Sequence, residues 1–360
     1  MKDRLEELRK KIDDVDKNIV KNLDERAEVA REIGELKKNL GMELYAPGRE
    51  RQVIKRLTNL GRGKFPVKSL RQIYREIIAT CLNLEKPVKV AYLGPEATFT
   101  HAAALRQFGR SSNFSAYDSV SSVFAAVERD EADFGVVPVE SSREGAVRHT
   151  LDRFLESNLS ICNECYLMVN LYLMGVADEL EKIETVYSHP QALSQARNWL
   201  EYHLPSVGIK NTDSTASAAR LAAEDPTAAA VASEAAAELY DLNILAGKIE
   251  NSADNYTRFL VIGKQTPDVT GDDKTSIAFS LQDRAGALYE MLKPFGKIGV
   301  NMTKIESRPS KSRTWDYIFF VDFLGHQENK NVKKLLNELR TKSPFFKILG
   351  SYPKENPFND

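Results

Sequence analysis

A chain of 360 residues exceeds what one hydrophobic core organises, so two or three domains are expected. Its 42% hydrophobic content and net charge of -1 suit a globular protein rather than a fibrous or disordered one. No run approaches the ~20 apolar residues of a membrane span, and MKDRLEELRKK is no secretory signal, so a cytoplasmic location without membrane contact is expected.

Residues 1–86 carry about +6 and the remainder about −7, but the basic residues alternate with acidic ones. That is a solvated helical face, and no nucleic-acid partner is expected. Leu5, Leu8, Ile12, Val15, Ile19, Val29, Ile33, Leu36 and Leu40 recur in a 3–4 alternation with no intervening proline. A helix of ~37 residues spans ~55 Å, against a radius of gyration near 12 Å for a compact domain of this size. It must therefore pack along a partner, most simply a second copy. Two shorter helices are predicted near 47–60 and 66–85, separated by LGRGKFP.

From Pro87 the texture changes. KVAYLGP, FGVVPVE, TVYSHP, AAAVAS and RFLVIG are short apolar strands alternating with helical stretches, which predicts an α/β region of parallel strands ending near Gly263. Cys162 and Cys165 sit in a strand-like stretch, ICNECYLMV, where positions i and i+3 face opposite sides, so no zinc or redox site is expected. QTPDVTGDD is a linker by composition. Beyond it the order strand, helix, strand, strand, helix, strand predicts a ferredoxin-like βαββαβ unit over 274–353.

Arg26 and Lys37, eleven residues apart, share one face of the long helix within ~20°. Arg26 interrupts the apolar seam, where an unpaired charge is costly. Arg9 lies ~25 Å earlier along the same axis, so it joins them only from an antiparallel second chain. Solvated surface charges are the competing reading. Here residues 1–86 resemble the all-helical chorismate mutase family, on Arg9, Arg26, Lys37, Arg49, Glu50 and Glu85 in LRKKIDDVDKNIVKNLDERAEVAREIGELKK and PGRERQVIKRL. The resemblance implies an intertwined dimer in which each site takes Arg9 from the other chain, with chorismate rearranged to prephenate. Arg9 and Arg26 would hold carboxylates, with Arg49, Glu50 and Cys81 also lining the site. Lys37 and Glu85 would face the ether oxygen. Some members have glutamine in place of Glu85, a hydroxyl residue in place of Cys81 and aspartate in place of Ala46. A protonated Glu85 would donate to the ether oxygen as glutamine does.

Three junctions rich in hydroxyls and glycine, GPEATFTHAA (94–103), VPVESSREGAV (137–147) and NTDSTASAA (211–219), would suit small anions at helix N-termini, although N-capping alone also accounts for each. There is no G-x-G-x-x-G and no P-loop lysine, which argues against nucleotides. YLGPEATFTHAA, GVVPVESSREGAV, SHPQAL and NYTRFLVIG, in that order, resemble the prephenate dehydratase family over 88–266. That likeness implies two α/β lobes, similar to periplasmic solute-binding proteins, with lobe 2 at about 161–250 and the ligand between the lobes. Prephenate would lose carbon dioxide and its hydroxyl to give phenylpyruvate. Thr257 would act on the leaving hydroxyl, and Arg258 would seat a carboxylate or brace its strand. Thr98, Ser141, Ser142, Gly145 and Phe259 would line the cleft. The family usually has Glu-Asn where this chain has Glu140-Ser141.

GALYEML (286–292) and IESRP (305–309) resemble the ACT regulatory domain. This implies L-phenylalanine as effector, near Gly286, Ala287, Leu288, Asn301, Met302, Glu306, Ser307 and Arg308, in a dimer or tetramer. No metal or cofactor is implied. Two alternatives remain open from sequence: a non-catalytic amino-acid-responsive binding protein, and a dehydratase preferring arogenate.

Overall fold

The computed structural model describes residues 2–42, 45–60, 63–143, 145–252, 254–282, 284–309 and 317–356. The chain divides into two units: Met1–Val88 with Phe108–Asn113, and Lys89–Gln107 with Phe114–Asp360.

In the first unit α1 (Lys2–Asn39) is followed by α2 (Pro47–Leu60) and α3 (Val67–Glu85), with Pro87 barring continuation of the last. Ala30 and Gly34 are the buried residues of α1. A β-carbon at Gly34 would lie 2.9 Å from the Glu85 side chain, so glycine permits the approach of α1 to α3. The apolar seam is not covered within one chain: Leu5, Ile12, Val15, Ile19 and Leu36 are 50–61% exposed.

The second unit begins with β1 (Lys89–Leu93), α4 (Phe99–Phe108), β2 (Asn113–Tyr117), α5 (Val120–Glu128), β3 (Phe134–Ser141), β4 (Gly145–Ala146), α6 (Arg148–Glu156) and β5 (Ser160–Met168). It continues through β6 (Tyr172–Gly175), β7 (Thr185–Ser188), α7 (Pro190–His203), β8 (Gly208–Asn211), α8 (Thr215–Ala223), β9 (Ala228–Ala232), α9 (Glu234–Tyr240) and β10 (Asn243–Gly247), then returns as β11 (Tyr256–Gly263). The strands form two sheets, β2-β1-β3-β11-β5 and β10-β6-β9-β7-β8. Each sheet is the floor of one lobe.

Two expectations change here. Lobe 2 does not start at 161: β5 pairs with β11 in the first sheet, so the chain crosses only after Met168. Nor are the sheets purely parallel. β1–β3, β7–β8 and β7–β9 are parallel, but β11 runs antiparallel to both its neighbours, and β6 and β10 are antiparallel too. A strand that returns from the other lobe enters its sheet from the opposite end.

The last segment is β12 (Asp273–Ser280), α10 (Ala287–Ile298), β13 (Met302–Pro309), β14 (Tyr317–Leu324), α11 (Lys330–Lys342) and β15 (Phe346–Pro353), with sheet order β13-β14-β12-β15. One face, with Ile277, Phe279 and Phe323, packs on Met291, Phe295, Leu335 and Leu339 of the two helices. Its other face, with Ala278, Phe320, Leu349 and Tyr352, joins Val137, Phe154 and Leu260 in the core of lobe 1. This small domain is therefore buried on both faces of its sheet.

Candidate active sites

On α1 the half-buried face carries Arg26 and Lys37, and both meet α3. Arg26 Nη1 lies 2.6 Å from Cys81 Sγ and 3.5 Å from the Ile77 carbonyl oxygen. Lys37 Nζ lies 3.9 Å from Glu85 Oε2. That oxygen is buried without a hydrogen-bond partner among the described residues. Desolvation raises the Glu85 pKa above its ordinary 4.5, against the opposing pull of Lys37 and Arg26. Arg26, Lys37, Cys81 and Glu85 are thus brought together. Arg9 is exposed on the far half of the same helix, seventeen residues from Arg26, and no single chain unites the two. Arg49 is exposed and Glu50 half-buried in the first turn of α2.

The second candidate site lies between the lobes of the second unit. Alternation along β11 decides which side chains enter it: Thr257 and Phe259 face one way, Arg258 the other. Thr257 pairs in register with Ser141 and Arg258 with Glu140, after which the register shifts so that Phe259 opposes Pro138. The extra residue on β3, Val139, is a bulge, a device that re-aims side chains beside active sites. Thr257 and Phe259 line a cavity of about 310 Å³ with Gly94, Thr98, Thr100, Ser141, His189 and Ser214, among others.

All three hydroxyl-rich junctions contribute to this wall. They supply Thr98, Ser141 and Ser214, and the first turns of α4 and α8, with that of α7 from the separate SHPQAL motif, add Phe99 and Thr100, Thr215, and Gln191 and Ala192. Helix first turns present unsatisfied N–H groups and the positive end of the helix dipole. Thr98 caps α4, its hydroxyl accepting from His101 N and donating to the Pro95 carbonyl. Just before it Ala97 adopts φ 61°, a strained value for a residue with a β-carbon. The strain is held by Ala97 N donating to His101 Nδ1 at 3.2 Å and Ser233 Oγ of lobe 2 donating to the Ala97 carbonyl at 2.8 Å.

Three sequence expectations are corrected at this cleft. Arg258, expected among the cleft residues, is 4% exposed and is not part of the cavity wall. Its Nε donates to Glu164 Oε2 at 2.8 Å, Nη1 to Asp322 Oδ2 at 2.6 Å and Nη2 to Tyr352 Oη at 2.9 Å. Of the two roles left open, bracing is the one this geometry serves. Ser142 is a clasp rather than a wall residue, its hydroxyl donating to the Asp254 carbonyl and accepting from Tyr256 N. Gly145, at φ 76°, is exposed and outside the cavity wall, its conformation making the β3–β4 turn.

Individual side chains that sequence did not single out are His189, Gln191, Gln195 and Asp213 on the wall and the buried Asn255, bonded to Gln195 behind it. The His-Pro pair of SHPQAL carried a signal, an N-cap followed by proline at the first helical position. No spacing signals Asn255. Its backbone carbonyl accepts from Val169 N at 2.7 Å, and its Nδ2 donates to Gln195 Oε1 at 2.8 Å. That bond holds the Gln195 oxygen and leaves its amino group for the cavity.

In the terminal domain Gly286 takes φ 79° at the start of α10, a conformation that favours glycine. Gly286, Leu288, Asn301 and Ser307 are exposed, while Ala287, Met302 and Glu306 are half-buried. Arg308 is not available as expected. Its Nη1 donates to the Arg148 carbonyl at 3.0 Å, and Nη2 lies 3.3 Å from Asp152, both on α6 of lobe 1.

A helical unit bearing cations on one face, followed by a two-lobed α/β cleft with a βαββαβ domain on its first lobe, defines a multidomain enzyme with an attached sensor. The segments match three families: chorismate mutase type II over 8–86, prephenate dehydratase over 90–267 and the ACT domain over 275–341. The whole chain is similar to a bifunctional chorismate mutase/prephenate dehydratase from Aquifex aeolicus, 51% identical over 356 residues and 98% of each chain. One from Pseudomonas aeruginosa is 44% identical over 98% of each. Among solved structures, a prephenate dehydratase from Arthrobacter aurescens in complex with L-Phe superimposes with TM-score 0.70 at 34% identity, covering 75% of this chain and 91% of that one. The chain belongs to the bifunctional chorismate mutase/prephenate dehydratase family.

Proposed function

We propose that the chain rearranges chorismate to prephenate in its helical unit, converts prephenate to phenylpyruvate in the interlobe cleft, and is inhibited by L-phenylalanine at its ACT domain. The observation that carries the reading is that Thr257, beside the three hydroxyl-rich junctions, faces one cavity between two lobes in a chain of this family.

The first reaction is pericyclic and needs no nucleophile. Arg26, with Arg9 supplied by a second copy, holds the substrate carboxylates in the reactive shape. Lys37 and a protonated Glu85 donate to the ether oxygen as charge grows on it. Arg49, Glu50 and Cys81 complete the wall. The exposed apolar seam of α1 supports the second copy, because a monomer rarely leaves so long a stripe uncovered.

In the second reaction the ring carboxylate leaves as carbon dioxide. The C–C bonding pair enters the ring, the C–O bond breaks, and hydroxide departs with a proton from the Thr257 hydroxyl as water. Thr257 regains its proton from solvent. First-turn N–H groups of α4, α7 and α8 hold the remaining carboxylate, and Phe259, Thr98 and Ser141 shape the wall. L-phenylalanine binds by Gly286–Leu288, Asn301, Met302, Glu306 and Ser307 against a second copy, a placement supported by the exposure of Gly286, Leu288, Asn301 and Ser307 at or near the sheet-edge strand β13 and by the L-Phe complex of the Arthrobacter relative. The assembly is a cytoplasmic homodimer or homotetramer. Among the described residues no helix is long and apolar enough to cross a membrane.

The test is a coupled assay in which purified chain is incubated with chorismate, and prephenate and phenylpyruvate are followed before and after adding L-phenylalanine. Accumulation and decay of prephenate, slowed by the amino acid, is expected; chorismate left unchanged would reject the reading.

A further inference from the structure

Behind the cleft, on the face of β11 opposite Thr257, lies a buried cluster of charges shared by two domains. From lobe 1 come Arg258, Glu164 and Tyr166. The ACT sheet contributes Lys274 and Ser276 of β12, Asp322 of β14 and Tyr352 of β15. Lys274 Nζ donates to both Glu164 oxygens at 2.8 Å, and Ser276 Oγ donates to Asp322 Oδ1 at 2.5 Å while lying 2.6 Å from Tyr352 Oη. The side chains of Arg258, Glu164, Asp322 and Lys274 are 5%, 0%, 10% and 7% exposed. Two cations and two carboxylates balance, which allows such burial. Burial alone lowers the Arg258 pKa, but Asp322 and Glu164 more than reverse this, and the guanidinium stays charged.

The cluster extends toward the strand that carries the proposed effector residues. Lys304 of β13 lies 2.9 Å from Glu140, and Glu140 lies 3.6 Å from Arg258 and immediately precedes the wall residue Ser141. Two residues after Glu306, Arg308 grips α6, whose preceding residue, Val147, also lines the cavity. Thus β13 holds β3 and α6, and β14 holds β11, each within one or two residues of the substrate wall.

We infer that Arg258 is a positioning residue and that the Arg258–Asp322 pair is the joint through which the ACT domain sets the position of Thr257. The inference rests on the dehydratase and sensor roles proposed above and adds the route between them. Arg258 is fixed at three of its nitrogens and cannot follow a shift of β14 without carrying its own strand. The next residue back along that strand is Thr257, opposite Ser141 at the bulge. An effector that favours one placement of the ACT sheet therefore changes the cavity wall without entering it, which is the differential affinity for two states that allostery requires.

The experiment uses the full chain and three variants, Asp322→Asn, Ser276→Ala and Asp322→Asn with Arg258→Lys. Prephenate turnover with and without L-phenylalanine is measured beside calorimetric binding of L-phenylalanine. Native inhibition at saturation should be at least about ten-fold. In Asp322→Asn it should fall below about two-fold, with L-phenylalanine still bound within about three-fold of native affinity. Ser276→Ala, which removes the hydroxyl bonded to Asp322 and Tyr352 but leaves both partners of Arg258 in place, should lose part of the response and guards against an unfolded Asp322 variant. The double variant should be no less responsive than Asp322→Asn alone, because the two residues form one joint. Native-strength inhibition in both Asp322→Asn and Ser276→Ala would overturn the joint while leaving the sites in place. A native chain that neither turns over prephenate nor binds L-phenylalanine would instead overturn the reading beneath it.

Discussion

Around Glu85 the charged groups are side chains, with Arg26 and Lys37 reaching α3 from one helix face. Around Thr257 the described wall holds no lysine or arginine, and the first turns of three helices stand in their place. The reactions proposed for the two sites give a reason for the contrast. The mutase step builds negative charge on an ether oxygen, so a full cation there stabilises the transition state more than the ground state. The dehydratase step discharges a carboxylate into neutral carbon dioxide. A cation clamped on that group would hold the ground state and raise the barrier. In the proposed reaction, turning Arg258 away from the cleft would serve catalysis as well as bracing.

The contrast can be broken most severely at Thr257. Thr257→Val keeps shape and removes the donor, and should lower dehydratase turnover about 10³-fold while chorismate consumption stays native; near-native phenylpyruvate formation would refute the role. Lys37→Met should do the converse, costing the mutase about 10²-fold with prephenate consumption unchanged. Loss of both activities would mean that the sites are not independent.

A finer test adds charge where the cleft lacks it. Ser141→Lys should tighten prephenate binding yet lower kcat about ten-fold, visible as KM and kcat falling together. If kcat rises instead, the argument from ground-state holding is wrong. Smallest is the pH effect at Glu85. Its pKa is raised above 4.5 by burial, so the protonated form persists to higher pH and is lost as pH climbs through the raised value. Mutase rate should fall along that limb, and Glu85→Gln should flatten it. Identical profiles in the two proteins would remove the protonated role.

Much of the architecture was legible because it follows from local periodicity. The 3–4 alternation of α1, the strand and helix order of 274–353 and the helices predicted near 47–60 and 66–85 each arise from neighbouring residues. What was not legible depends on partners distant in sequence. ICNECYLMV reads equally as the first strand of lobe 2 or the last of lobe 1, and only its pairing with β11 decides. Thr257 and Arg258 could be separated by strand alternation into opposite faces, but which face met the cavity required knowing that Asp322, 64 residues on, waits behind. Asn255 was quoted within its motif yet gave no sign of its bond to Gln195, 60 residues earlier. Arg308 looked like an effector ligand until α6 was seen to occupy it.

The claim on which the dehydratase half depends is that β11 works with two faces, one toward substrate and one toward the sensor. A crystal structure of the full chain with phenylpyruvate bound tests it most directly. The product should lie within hydrogen-bond distance of Thr257 and the first turns of α4, α7 and α8, with Arg258 still on Glu164 and Asp322. Product density outside the interlobe cavity, or an Arg258 guanidinium rotated onto the product carboxylate, would contradict it.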